Sequence, residues 1–342
     1  LQSRGLGDVY KRQLHAWSVA EPAAFWEAVS DYAGIRYQQT ATHAVSDLEQ
    51  FPGARWFPDA QLNFAENLLR YQDDETALIS ISETGAQTEL SYAQLYQRVA
   101  ALTTVLRSRG IAPGDRIAGW LPNSEAAVIA MLATTALGAV WTSCSPDFGE
   151  QGALDRFGQT EPKLLFACDG YHYGGKAHHT RAKMQAVADA IPSVQQVIWL
   201  ALLDAPEHPD SDFAALSTGN ESAEPIAFHP CAFNDPLYVM YSSGTTGVPK
   251  CIVHGVGGTL LQHQKEHLLH IDLHRDDRLF FFTTCGWMMW NWLVSALACG
   301  TTIVLYDGSP FHPGPERLLD LAEQERITQF GISAKYLSAI DK

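Results

Sequence analysis

The run Tyr238-Val239-Met240-Tyr241-Ser242-Ser243-Gly244-Thr245-Thr246-Gly247-Val248-Pro249-Lys250 decides how the rest of the chain is read. It opens apolar and aromatic, as a buried strand does. It then passes through hydroxyl residues and glycines and closes on a lysine. That composition suits a bound phosphate: glycines admit close backbone approach, loop N–H groups can point inward as a nest, and hydroxyls and an ammonium add donors. The loop is not of Walker A type, which needs Gly directly before Lys and Ser or Thr after it. Here Pro249 precedes Lys250 and Cys251 follows. The hydroxyl that would hold magnesium in a P-loop NTPase is missing, and a kinase or GTPase reading loses ground.

Outward from the loop, strands alternate with helices. Residues 77–81 read as a strand, 83–85 as a turn and 88–90 as its return; Ser91-Tyr92-Ala93-Gln94 caps a helix whose Leu95, Val99, Leu102 and Leu106 share one face, ended by Gly110. Further strands are expected at 115–121, 139–142, 164–168, 197–200, 237–241, 279–283 and 303–306, with an apolar helix over 124–137 ended by Gly138. The alternation predicts an α/β fold of mostly parallel sheet flanked by helices. Ligands in such sheets sit beyond the carboxyl ends of the strands, where the 242–250 loop falls. Residues 202–236, rich in Pro, Asp, Glu, Ser and Asn, read as a solvated connection structured only at its ends.

Upstream, residues 1–13 show neither helical nor strand period and read as a non-native leader. Residues 14–75 form a helical, aromatic-anchored lead-in, with Ser18-Val19-Ala20-Glu21 spaced as a capping box and Phe25, Trp26, Val29 and Tyr32 at helical intervals. The body runs from 76 to 342.

With 342 residues, 46% hydrophobic and 18% charged, the chain has enough apolar material for a large cored domain. A net charge of −15 argues against a nucleic-acid surface and against an anionic membrane surface. The six cysteines are scattered without a CxxC pair, which favours a reduced, cytoplasmic compartment over a zinc site. Residues 283–306 carry no charge over a length that could cross a bilayer. Asn291, Ser295 and the Gly300-Thr301-Thr302 breaker instead indicate a buried helix, a turn and a strand. His263, His267, His270 and His274 fall at i, i+4, i+7 and i+11, expected as one face of a helix that follows the loop. That spacing permits a metal, but no suitably spaced fourth ligand accompanies it; packed histidines are the preferred reading, and no metal ligand is assigned.

Residues 241–250 closely resemble the phosphate loop of the acyl-adenylate-forming enzymes. Other stretches resemble the acetoacetyl-CoA synthetase branch: Trp56-Phe57-Pro58 with Leu62-Asn63-Phe64-Ala65-Glu66-Asn67-Leu68-Leu69, Ser143-Cys144-Ser145-Pro146-Asp147-Phe148-Gly149, Glu266-His267-Leu268-Leu269-His270, Cys285-Gly286-Trp287-Met288-Met289-Trp290-Asn291-Trp292 and Leu305-Tyr306-Asp307-Gly308-Ser309-Pro310-Phe311. The likeness covers residues 14–342.

The resemblance implies the large N-terminal domain of the adenylate-forming fold and an ATP-dependent acid–CoA ligase acting on acetoacetate. It implies that Ser242, Ser243, Gly244, Thr245, Thr246, Gly247 and Lys250 hold the ATP phosphates. Trp287, Met288 and Met289 would line the acyl pocket, although a stripe of this kind also suits a helix core. Tyr171-His172-Tyr173-Gly174-Gly175-Lys176 resembles a segment that carries nucleotide-facing arginines in acetyl-CoA synthetases. Here Tyr173 replaces one arginine, leaving Lys176 and Arg181 as candidate CoA contacts. The adenine and ribose contacts, the glutamate that binds Mg2+ and a small C-terminal domain with its lysine are expected beyond residue 342. No catalytic side chain is therefore assigned within the chain, residues 339–342 read as the start of a helix, and the fragment alone is expected to be inactive. Alternatives are a CoA ligase for another short acid and a non-catalytic nucleotide-binding module. The expected partners are acetoacetate, ATP and CoA; the sequence carries no reading of oligomeric state.

Overall fold

The computed structural model describes residues 11–204, 209–218, 224–242 and 247–341. Eleven strands form two sheets: β1 Thr76–Ser82, β2 Gln87–Ser91, β3 Arg116–Trp120, β4 Val140–Cys144, β5 Leu164–Cys168, β6 Gln196–Leu200, β7 Pro236–Tyr241, β8 Cys251–Gly255, β9 Arg278–Phe281, β10 Thr302–Asp307 and β11 Gln329–Gly331. One sheet has the order β6-β5-β3-β4-β7-β8 and is parallel except for β8. The other has the order β11-β9-β10-β1-β2 and is parallel except for β2.

Buried strands explain why the sequence showed continuous apolar runs instead of alternation. In β10, Ile303 and Leu305 face the main core, while Val304 and Tyr306 face a second cluster with Ile79, Phe280, Leu318 and Leu321. Successive residues point to opposite faces, and helix Arg317–Gln324 covers the far side.

Helix Glu125–Ala136 contacts strands of both sheets, and every residue from Ala126 to Ala136 is buried. A helix apolar all round belongs there. Its two buried threonines are satisfied internally: Thr134 donates to Ala130 O at 2.7 Å and Thr135 to Met131 O at 3.0 Å. Helix Tyr92–Ser108 starts with the expected capping box, Gln94 N–H donating to Ser91 Oγ at 3.2 Å and Ser91 N–H to Gln94 Oε1 at 2.9 Å.

Five expectations need correction. Ser18 lies inside helix Lys11–Ala20, so it caps nothing; Glu21 precedes the next helix, Pro22–Ala33, where proline at the first turn sacrifices no hydrogen bond. Helical structure thus begins within the segment set aside as a leader. The 202–236 connection is structured in its middle, because Phe213 of helix Phe213–Thr218 is buried against Phe166 at a centroid distance of 6.0 Å. Helix Val256–Leu269 stops before His274, so the four histidines do not share one helix face. The chain closes on the end of a helix, Ala334–Ile340, whose N-terminus is capped by Ser333 accepting from Tyr336 N–H. Residues 283–306 behave as expected, giving helix Met288–Ser295, a 3-10 turn Ala296–Cys299 and β10. Among the described residues no helix is long and apolar enough to cross a membrane.

Candidate active site at the carboxyl ends of the two sheets

The glycine-rich loop joins β7 to β8 as a hairpin, and its base is pinned on both sides. Ser242 N–H donates to Lys250 O at 3.0 Å, and Lys250 N–H donates to Ser242 Oγ at 3.2 Å. Gly247 sits at φ +89, a left-handed conformation that glycine adopts without strain. Gln159, on helix Glu150–Thr160, donates to Pro249 O at 2.8 Å and ties the loop to that helix. The Lys250 side chain is exposed. Ser243, Gly244, Thr245 and Thr246 lie outside the described residues.

Beneath the loop, Tyr241 shares hydrogen bonds with Thr142 Oγ1 at 2.8 Å and Thr160 Oγ1 at 3.3 Å, and burial raises its pKa. Arg156 stacks over Phe148 at 4.5 Å and stands 5.7 Å from the Tyr241 ring. This cation beside the loop was not visible in the sequence, since its neighbours belong to two other segments. Lys183 also escaped notice: it donates to the carbonyls of Pro146 and Phe148 at 2.8 and 2.9 Å, holding the turn after β4.

The 283–287 segment crosses from the second sheet to meet this turn. Ser143 Oγ donates to Cys285 O at 2.6 Å, and a Cβ at Gly286 would stand 3.6 Å from Ser145 N. Trp287 is exposed, Met288 and Met289 are half-buried, and Trp290 is fully buried. Helix Met288–Ser295 meets β7 through Asn291, whose amide reaches Met240 Sδ at 3.0 Å. The structure therefore brings the helix that begins at Met288 into contact with the strand that leads into the loop.

Asn123 ties the two sheets together. Its amide donates to Thr283 O and Tyr306 O at 3.2 and 3.3 Å, its Oδ1 accepts from Trp290 Nε1 at 3.0 Å, and its backbone N–H donates to Asp307 Oδ1 at 3.0 Å. Burial pushes the Asp307 carboxyl up to about 6, against the hydrogen bond from Asn123. A cavity of about 160 Å³ opens here, lined by Ser80, Glu83, Ser124, Tyr171, His172 and Asp307 among others.

The CoA candidates lie apart from the glycine-rich loop. Lys176 is exposed on the hairpin Gly170–Tyr173/Lys176–His179, which follows β5, three strand spacings or about 14 Å across the sheet from β7. Arg181 stacks on Trp199 at 4.5 Å. The sequence reading left this segment without secondary structure. It is a paired hairpin, because its glycines supply the turn.

His263 and His267 serve packing, whereas His270 and His274 are exposed. His263 and His267 are buried and share Ser295 Oγ at 2.9 and 3.1 Å; burial lowers their pKa values to about 3 and about 4. All six cysteines are free, and burial raises the thiol pKa of Cys144 and Cys168 to about 12.

A mostly parallel, two-sheet domain with a pinned glycine–hydroxyl loop at a strand's carboxyl end is the architecture of a nucleotide-handling α/β enzyme. The chain belongs to the AMP-binding enzyme family, whose model matches residues 64–340; the acetyl-coenzyme A synthetase N-terminus model matches residues 11–68. It is 48% identical to an acetoacetyl-coenzyme A synthetase of Rhizobium meliloti, over 96% of this chain and 51% of the relative. It is 41% identical to a malonamoyl-CoA synthetase of Penicillium aethiopicum, over 97% of this chain and 50% of the relative. The solved structure of an acetoacetyl-CoA synthetase from Streptomyces lividans superposes with a TM-score of 0.92 at 46% identity, covering 96% of this chain and 51% of that one. The chain thus spans about half the length of the relatives it matches.

Proposed function

We propose that this chain is the N-terminal part of an ATP-dependent acid–CoA ligase acting on acetoacetate. The observation that carries the reading is the loop joining β7 and β8, pinned at its base by the Ser242–Lys250 hydrogen bonds at the carboxyl end of β7, in a chain of the AMP-binding family. In the first step a carboxylate oxygen of the acid bonds to the α-phosphorus of ATP, and the bond from that phosphorus to the pyrophosphate oxygen breaks. In the second, the CoA sulfur bonds to the acyl carbon, AMP leaves and the thiol proton passes to solvent.

The first step brings an anion onto a polyanion, so fixed donors in a shielded site are the protein's main contribution. Ser242, Ser243, Gly244, Thr245, Thr246, Gly247 and Lys250 would hold the β- and γ-phosphates, with Arg156 adding positive charge beside them. The attacking group belongs to the substrate, and no protein nucleophile is needed. Trp287, Met288 and Met289 would form the acyl wall. Lys176, with Arg181, would face CoA. Six free thiols suit a reduced, cytoplasmic compartment.

A second reading, a ligase for another acid bearing a carbonyl at the same position, is favoured by the malonamoyl-CoA synthetase relative. Acid-dependent exchange of pyrophosphate into ATP by the complete protein, with acetoacetate, malonamate, acetate and propionate, separates the two. Acetoacetate should give the highest kcat/KM; a clear preference for malonamate would move the assignment to the second reading, and no acid-dependent exchange would remove both.

A further inference from the structure

Glu83, in the turn between β1 and β2, is the unexpected participant at the cleft. Its carboxylate accepts three backbone N–H bonds from two distant segments. Oε2 accepts from Gly174 at 2.8 Å and from Ser309 at 2.7 Å, and Oε1 accepts from Gly175 at 2.8 Å. Gly174 and Gly175 are the two-residue turn of the 170–179 hairpin, both left-handed at φ +61 and +76, as a type I′ turn demands. Consecutive N–H groups in such a turn converge as an anion-binding nest, and here the anion is a side chain 91 residues away. Burial pushes the Glu83 pKa upward, but the Ser309, Gly175 and Gly174 hydrogen bonds outweigh it, so the group stays below the usual carboxylate range. His312 closes the other side: a Cβ on Gly175 would stand 2.8 Å from its ring.

The clasp fixes more than a turn. Tyr171 and His172 of the hairpin line the cavity between the sheets, Tyr171 stacks on His178 at 5.0 Å, and Lys176 follows the clasped glycines directly. A two-stranded hairpin is marginal in water without outside support. Glu83 supplies that support from the second sheet and locks the hairpin as one wall of the cleft.

We propose that Glu83 is a positioning residue that holds this hairpin, and Lys176 with it, for CoA; this rests on the ligase reading. The test uses Glu83→Gln and Glu83→Asp in the complete enzyme. Glutamine turns an NH2 group toward one of the three N–H donors. Losing one charge-assisted hydrogen bond of this kind should raise KM for CoA about tenfold. Acid-dependent pyrophosphate exchange needs no CoA and should stay within about twofold of wild type. Amide hydrogen exchange at Gly174 and Gly175 should accelerate in Glu83→Gln, and Glu83→Asp, which keeps the carboxylate, should recover part of the CoA affinity.

Unchanged amide exchange would refute the clasp. Faster amide exchange with unchanged KM for CoA would refute its role toward CoA, and an equal fall in both half-reactions would make Glu83 merely structural. Wild-type enzyme without acid-dependent pyrophosphate exchange would overturn the ligase reading and the CoA role with it, while amide exchange would still decide whether the clasp exists.

Discussion

Replacing Asn123 with alanine should be among the most damaging single changes near the cleft. Asn123 is 2% exposed, and its side chain makes three hydrogen bonds: two donated, to Thr283 O and Tyr306 O, and one accepted from Trp290 Nε1. Alanine leaves the fully buried indole N–H with no acceptor from this side chain, a loss of about 1–3 kcal/mol for one stranded donor. The two carbonyls lose a partner each, and truncation leaves a small void. Together these should lower stability by about 3–4 kcal/mol. Asn123→Asp is the sharper companion, because at neutral pH it directs a carboxylate oxygen at two carbonyls beside Asp307. It should be worse than alanine at pH 7.5 and recover as the pH falls and the new carboxyl protonates. Urea unfolding followed by tryptophan fluorescence gives both free energies. A loss under about 1 kcal/mol for Asn123→Ala, or an aspartate variant no worse than alanine at pH 7.5, would refute the view that this residue ties the sheets together.

Gly119→Ala in β3 would place a Cβ 2.4 Å from the Trp141 ring and should cost at least 1–3 kcal/mol, roughly the overpacking range, whereas Gly158→Ala, with open space on helix Glu150–Thr160, should stabilise by about 0.5–1 kcal/mol in the same unfolding assay. Asp307, raised from 3.8 to about 6, binds its proton more tightly folded than unfolded, so its contribution falls as pH rises between those values. Asp307→Asn removes this effect, and its stability relative to wild type should improve by on the order of 3 kcal/mol between pH 4 and 7.5. The buried histidines act in the opposite direction: with pKa values lowered to about 3 and about 4, they should cost stability as pH falls below 6.5, and His263→Gln should flatten the acid limb of the unfolding curve. Lys250→Ala should cut acid-dependent pyrophosphate exchange by about a hundredfold, the scale of one lost oxyanion-type donor, with thermal stability unchanged because the side chain is exposed.

What the sequence disclosed depended on how local the cause was. Leu164–Cys168 and Ile303–Tyr306 were legible because strands buried on both faces spell continuous apolar runs. Ser91 and Gln94 were legible because a capping box closes within four residues. β8 escaped notice: Cys251, Ile252 and Val253 are exposed on a sheet edge, so their pattern reports neither face. The loop at 242–250 stood out as a candidate through its composition, and the Trp287–Met289 stretch through resemblance. Arg156, Asn123, Asp307 and Glu83 did not, since each takes its meaning from distant partners; the Asn123–Asp307 bond spans 184 positions. Phe213 anchors a segment whose composition otherwise reads as solvated, because one buried aromatic ring outweighs several polar neighbours.

Acyl-adenylate formation predicts where the oxygen atoms go. The complete protein should be incubated with ATP, CoA and acetoacetate labelled with oxygen-18 in its carboxylate, and the products analysed by mass spectrometry. One labelled oxygen should appear in AMP and the other in the thioester carbonyl of acetoacetyl-CoA, with pyrophosphate unlabelled. Label in orthophosphate, accompanied by ADP, would mean that the carboxylate attacks the γ-phosphate, and would contradict the assignment of this loop to adenylate chemistry.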